Sequence, residues 1–376
     1  MIPKSNHSSR NGSPLRPGFG AAYKPDTMSV ADELHPVIHA GRVALVTGAA
    51  SGIGKAAAIE FANGVFPRGE VGLGWIVAVG CLRRATLRGL HIRELIKIST
   101  IHHANQQTTN LTSLLTHRLG LKVAIADLSE DALQAVGKTL AGIVGDANVL
   151  VVPTDVSQLD QVVRLRDKVY EAWGEVAVLL NNAGIGPKGT SWEGLDNWHK
   201  IFDVNVFGVV NVQHTFVPSM LHQENPAMVI NTGSKQGITN PPGNAAYNAS
   251  KAAVKSLTEG LAHELRANQS GNVTAHLFIP GWTFTGITSQ TSTDPSSKPA
   301  GAWTAEETVL YMLDKVREGE FYVLVPDNET RREVDQLRIM WAAADVAEGR
   351  PALSRWHKDW KAIYEEYVRD GLAQLE

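Results

Sequence analysis

The feature that most restricts this chain is an alternation. Six times a short apolar run is followed by a stretch of helical periodicity, and a seventh run closes the series. The runs are 42–46, 122–127, 149–152, 176–180, 228–231, 273–279 and 321–325. Strands separated by crossover helices pair in parallel, with the helices covering both faces of the sheet. Residues 176–180 are apolar throughout, as a strand buried on both faces requires. The expected fold is therefore α/β, a doubly wound parallel sheet of about seven strands with helices on both faces. In such a sheet ligands sit beyond the carboxyl ends of the strands. Gly48, Asp127, Asp155, Asn182, Ser234 and Pro280 all follow strand ends in this reading.

The first unit is the most informative. A strand runs into Thr47-Gly48-Ala49-Ala50-Ser51-Gly52-Ile53-Gly54, and an Ala-rich helical stretch follows. Glycine lets a backbone approach a pyrophosphate, and a helix start offers it free N–H groups, so this is a dinucleotide turn in the making. The second strand ends in Asp127, where a carboxylate accepts hydrogen bonds from an adenosine ribose and repels a 2′-phosphate. Ser51 leaves the turn itself without a basic residue, although Lys55 is near. The expected cofactor is NAD, with NADP less favoured.

Between turn and acid the chain is far longer than the roughly 20 residues usual for such a unit. Cutting out residues 63–116 restores ordinary spacing, joining Ala62 to His117. This insert is basic, carrying Arg68, Arg83, Arg84, Arg88, Arg93 and Lys97 against Glu70 and Glu94. Two origins are open: a surface excursion, or translated non-coding sequence retained in the gene model.

The chain has 376 residues, 43% apolar and 19% charged, enough for a sizeable core. A formal net charge of −3 argues against general nucleic-acid binding. The single cysteine, Cys81, excludes a disulfide framework and a thiolate metal site, and suits a reducing, cytoplasmic setting. The longest apolar run near it, 71–82, is too short and glycine-rich to span a bilayer. Residues 1–40 are rich in Ser, Pro, Gly and Asn without periodicity, and read as a disordered leader or, less simply, a transit peptide. The main domain is expected over 41–328, and 329–376 as a helical C-terminal extension. That extension carries Trp341, Trp356, Trp360, Tyr364 and Tyr367, and could pack on its own domain, contact a subunit or wall a pocket.

Tyr247 and Lys251 fall one turn apart on a helix. A fixed ammonium beside a phenol favours phenolate and would lower its pKa from about 10, giving a group able to move protons near neutrality. Taken singly, this spacing occurs often on solvated helix faces. Asn181-Asn182-Ala183-Gly184 alone is turn chemistry, Asn205 alone is an ordinary helical Asn, and Asp155 with Gln158 alone is a capping turn. Ser129 reads as a helix cap, and Thr304 with Glu307 as a capping box. The long Ser, Thr, Pro and Gly-rich stretch 282–303 reads as a flap.

As a set, TGAASGIG, Asp127, Asp155-Val156, NNAG, Asn205, Ser234, YNASK and Pro280-Gly281 resemble the compact subtype of the short-chain dehydrogenase/reductase family. The resemblance covers about 41–325, interrupted by the insert. Ser234 lies 13 positions before Tyr247, the spacing of that family's serine; Thr232 does not. The resemblance implies a Rossmann-like fold and assigns roles. Tyr247 would be general acid/base, and Lys251 would lower its pKa and bind the nicotinamide ribose. Ser234 would hold the substrate oxygen, and Asn205 would support a water-linked proton relay through Lys251. Gly48, Ser51, Gly52, Ile53 and Gly54 would form the phosphate turn, Asp127 the ribose contact, and Asp155 with Val156 the adenine contact. Asn182 would line the cofactor cleft. After Pro280-Gly281 the family often has x-Val-x-Thr; here Thr283 replaces the Val and Thr285 matches.

The function so implied is hydride transfer between nicotinamide and a secondary alcohol or ketone, by a homodimer or homotetramer, with no nucleic acid or membrane partner. The alternative is a dinucleotide-binding protein whose catalysis the insert has impaired. An extended-subtype sugar-nucleotide epimerase fits less well, because its glycine spacing differs.

Overall fold

The computed structural model describes residues 35–63, 120–268, 271–288 and 294–374. Most of the leader, nearly all of the insert, Cys81 and the middle of the 282–303 stretch lie outside the described residues. The strands are β1 (Val43–Thr47), β2 (Lys122–Asp127), β3 (Val149–Pro153), β4 (Val178–Asn181), β5 (Ala227–Thr232), β6 (Val273–Ile279) and β7 (Tyr322–Leu324). They form one seven-stranded sheet in the order β3-β2-β1-β4-β5-β6-β7, with every pair parallel. The order reverses beside β1, whose Leu45 pairs with Ala124 of β2 on one side and Leu179 of β4 on the other. That reversal opens the crevice in which such sheets bind ligands.

Side chains alternate along each strand, so every strand feeds two cores. Ala44 and Val46 pack with helices α1 (Gly52–Asn63), α2 (Glu130–Val144) and α8 (Ala305–Arg317). Val43 and Leu45 face the other way, towards α3 (Leu159–Trp173), α5 (Gly208–His222) and α7 (Ala245–Ala267). Helix α4 (Leu195–Phe202) continues into α5 through a π-helical turn at Asp203–Phe207 that carries Asn205. A short α6 (Gln236–Thr239) follows β5. Helices α9 (Arg332–Ala347) and α10 (Lys361–Ala373) end the described chain. Among the described residues no helix is long and apolar enough to cross a membrane.

Several local expectations change. Val37 and Ile38, read as part of the leader, are buried in the core, and the Arg42 guanidinium reaches back to the Pro36 carbonyl at 2.7 Å. Ser129 sits at the N-terminus of α2 but its hydroxyl makes no cap; its N–H instead donates to Asp127 Oδ1 at 3.1 Å. Asp155 forms an Asx turn, accepting from the Ser157 N–H and hydroxyl at 2.9 and 2.7 Å, and Gln158 stands at the N-terminus of α3 without a side-chain capping bond. The capping box of Thr304 and Glu307 is present with both of its hydrogen bonds. The two ends of the 282–303 stretch are joined, with Thr283 bridged to Trp303.

Candidate active site

A cleft of about 720 Å³ crosses the carboxyl ends of β1, β4, β5 and β6. At one end lies the glycine turn. Gly48 and Gly52 take φ of 67° and 52°, the left-handed region that suits glycine. A Cβ on Gly54 would lie 2.1 Å from the Gly48 carbonyl oxygen, so only glycine lets α1 start this close to β1. Gly48, Ser51, Gly52 and Ile53 line the cleft, and Gly54 supports them from behind. Asp127 also lines it, its Oδ2 accepting the Ala50 N–H at 3.0 Å, so the acid and the turn are locked together.

Across the crevice β4 is tied to β1 by side chains. The Asn182 and Ala183 N–H groups donate to Thr47 Oγ1 at 2.9 and 3.1 Å. The Asn182 amide donates to the Thr47 carbonyl at 3.2 Å and accepts from the Thr232 hydroxyl at 3.2 Å. Its conformation is thereby fixed, and it lines the cleft.

At the other end are Ser234, Tyr247 and Lys251. Asn244 caps α7, its side chain accepting from the Tyr247 N–H. Ser234 stands beside Tyr247 at this end of the cleft, near enough to lower the pKa of its phenol. Ser234 Oγ accepts the Gln236 N–H at 3.2 Å, which fixes its lone pairs. Lys251 is buried, its ammonium donating to the Thr232 carbonyl at 2.8 Å and lying 5.7 Å from the Tyr247 ring centre. Burial pushes the Tyr247 phenol above its ordinary value, and Ser234 offsets part of this. Desolvation brings Lys251 down to about 8. The expected lowering of the phenol by Lys251 is therefore not what dominates here: two buried groups each favour their neutral form.

Besides Gly54, three expected site residues, Asn205, Asp155 and Val156, stand back from the cleft. Asn205 is buried, and its side chain is spent on the loop after β4. Oδ1 accepts the Ile185 N–H at 2.8 Å, and Nδ2 donates to the Ile185 carbonyl at 2.9 Å and to Ser250 Oγ at 3.1 Å. Asp155 is occupied by its own turn, and Val156 packs against Gly208, where a Cβ would meet it at 2.7 Å. Thr285 lines the cleft against Gly52, and Thr283 lines it while its hydroxyl bonds Thr308 of α8 at 3.0 Å.

The short chain dehydrogenase family model matches residues 110–296. An uncharacterized oxidoreductase of Staphylococcus aureus strain MRSA252 is 32% identical over 219 residues, 58% of this chain and 90% of that protein. The chain belongs to the short-chain dehydrogenase/reductase family. A 3-oxoacyl-[acyl-carrier-protein] reductase of Thermotoga maritima is 32% identical over 193 residues, 51% of this chain and 76% of the relative. Among solved structures, a short-chain dehydrogenase/reductase from Burkholderia phymatum in complex with NAD superposes with a TM-score of 0.61 at 28% identity, covering 85% of this chain and 98% of that one.

Within this member of the family, some residues of the site escaped sequence reasoning. Gly237 lets α6 lie on α7, since a Cβ there would be 2.4 Å from the Lys251 carbonyl carbon. Lys235 and Asp327 face each other in the cleft wall, at 3.1 Å. No local signal marks either, because the contacts join positions far apart in the chain.

Proposed function

We propose that this protein is a nicotinamide-dependent oxidoreductase that interconverts a carbonyl compound and a secondary alcohol, with Tyr247 as general acid/base. The observation that carries this is that Ser234, Tyr247 and Lys251 line the same cleft as the glycine turn and Asp127. The turn fits a dinucleotide: its glycines let α1 start close against β1 with Gly48, Ser51 and Gly52 lining the cleft, and Asp127 is fixed beside it for a ribose. A carboxylate there disfavours a 2′-phosphate, so NAD is the expected cofactor over NADP. When bound, the nicotinamide supplies or accepts the hydride.

The residues supply everything else. Ser234 donates to the substrate oxygen and holds it against the Tyr247 hydroxyl. In reduction Tyr247 gives its proton to that oxygen as hydride adds to the carbonyl carbon; in oxidation it takes the proton back. The raised phenol keeps its proton at neutral pH, which equips the site for reduction there. Lys251, anchored to Thr232, stands where it can hold a ribose hydroxyl and return a proton to Tyr247. Asn205 keeps the loop after β4 in place for both. Asp155 and Val156 would act on the adenine side only through the shape of their turn.

The test is nicotinamide absorbance with a panel of ketones and alcohols, NADH against NADPH. Tyr247→Phe should lower turnover by about 10²- to 10⁴-fold while NADH still binds by fluorescence titration. Turnover surviving in the variant would remove Tyr247 from its role.

A further inference from the structure

Ser234 is followed by Lys235, whose side chain enters a buried ion cluster. Its ammonium lies 3.1 Å from Asp327 Oδ2 and against Asp335 Oδ2, and the lysine side chain is 15% exposed against 6% and 4% for the two acids. Asp327 follows β7 and also accepts the Trp282 N–H at 3.1 Å, so it holds the start of the segment after Pro280-Gly281. Asp335 sits on α9, with Arg338 on its other oxygen at 3.4 Å; Arg338 also donates to Thr330 Oγ1 at 3.1 Å. Gly281 leaves room for the cluster: a Cβ there would lie 2.8 Å from Asp327 Oδ2 and 2.9 Å from Lys235 Nζ. One ammonium thus ties together the loop bearing Ser234, the segments after β6 and β7, and helix α9.

We propose that Lys235 is a positioning residue for the reaction: clamped by Asp327 and Asp335, it fixes the backbone of the Ser234 loop and so the Ser234 hydroxyl that meets Tyr247. Nothing in the chemistry of proton transfer calls for a charge at this position. What calls for it is placement, since Ser234 Oγ is aimed by the N–H of Gln236, the residue on the other side of Lys235. A loop released from α9 would let that hydroxyl drift, and a misplacement of about 1 Å costs about 10²-fold in rate. The extension after residue 328 then belongs to the active site, because Asp335 comes from it. This inference rests on the proposed role of Ser234 and Tyr247.

Lys235→Gln should lower kcat about 10- to 100-fold, with NADH affinity unchanged because the glycine turn and Asp127 are untouched. Lys235→Arg should recover part of the loss. In a Ser234→Ala background, Lys235→Gln should have little further effect, because its route runs through the missing hydroxyl. Lys235→Gln alone strands two buried acids and could fail to fold. The pair Lys235→Gln with Asp335→Asn leaves one stranded acid, Asp327, in place of two and should melt above the single variant while keeping the kcat loss. Unchanged kcat in the pair would overturn the proposal. So would a rise in substrate KM at constant kcat, which would make Lys235 a substrate contact, and so would a full additional loss in the Ser234→Ala background. Failure of Tyr247→Phe to reduce turnover would instead overturn the assignment of the site itself, a different outcome read on a different variant.

Discussion

Lys251 is buried and loses solvent without gaining a carboxylate; its ammonium has the Thr232 carbonyl. Its pKa falls from 10.5 to about 8 for that reason. The consequence for stability has a definite sign. Below about pH 8 both the folded and the unfolded chain carry the proton, and the desolvation cost is fully present. Between about 8 and 10.5 the folded chain has released it and the unfolded chain has not, so the unfolded state binds more protons and stability rises with pH. Across that window the gain is about 3 kcal/mol, at 1.36 kcal/mol per pKa unit. Urea unfolding of wild type and Lys251→Met in parallel isolates it from other groups that titrate there. The wild type should gain on the variant as pH rises from 7.5 to 10. A difference that stays flat would mean that Lys251 titrates normally and that water reaches it.

At the scale of elements, the sheet was legible because each strand is a short, nearly continuous apolar run that only a parallel sheet buried on both faces can use. The capping box at Thr304 was legible for a similar reason, its signal being local. Other features depend on partners that local sequence does not specify. The Ser129 hydroxyl makes no capping bond while its N–H is held by Asp127, and Val37 and Ile38 are too few to show a period. The Tyr247–Lys251 pair could be read from spacing, but the Lys235 cluster could not, since it joins residues about a hundred positions apart. The junction of α1 and β2 carries a prediction. The Leu121 N–H donates to the Phe61 carbonyl at 2.9 Å, and a Cβ on Gly120 would lie 1.8 Å from the Ala62 oxygen. The two sides of the insert therefore already meet in the fold. Deleting residues 63–116 joins Ala62 to His117 and leaves a connection of ordinary αβ length. The shortened chain should be soluble, melt in one transition within about 5 °C of the full chain, and bind NADH as tightly. Aggregation or lost cofactor binding would assign the insert a part in the fold.

Over the whole molecule, the sheet and the C-terminal helices meet at the site, so damage far from the cleft should reach it. Trp341 on α9 is 3% exposed and packs on Tyr364 and Tyr367 of α10, with ring centres 5.4 and 5.1 Å away. The Arg350 guanidinium covers its face at 4.3 Å, and its Nε1–H donates to Ser354 Oγ at 2.7 Å. Less than two turns before it on the same helix, Asp335 enters the ion cluster beside Ser234. On the other flank, Ile339 packs with Leu277 and Leu324 of the sheet. Because α9 is fastened on both sides, it should unfold with the sheet rather than separately. Trp341→Phe keeps most of the packing and loses one hydrogen bond, while the Ser354 hydroxyl still has Asp345 to donate to. It should cost about 1 kcal/mol. Trp341→Ala opens a cavity between α9 and α10 and should cost about 3–5 kcal/mol. Both should appear in urea unfolding as a lower midpoint with an unchanged slope. A second, earlier transition confined to the alanine variant would show instead that α9 and α10 come away first, and turnover would then be lost at that earlier step.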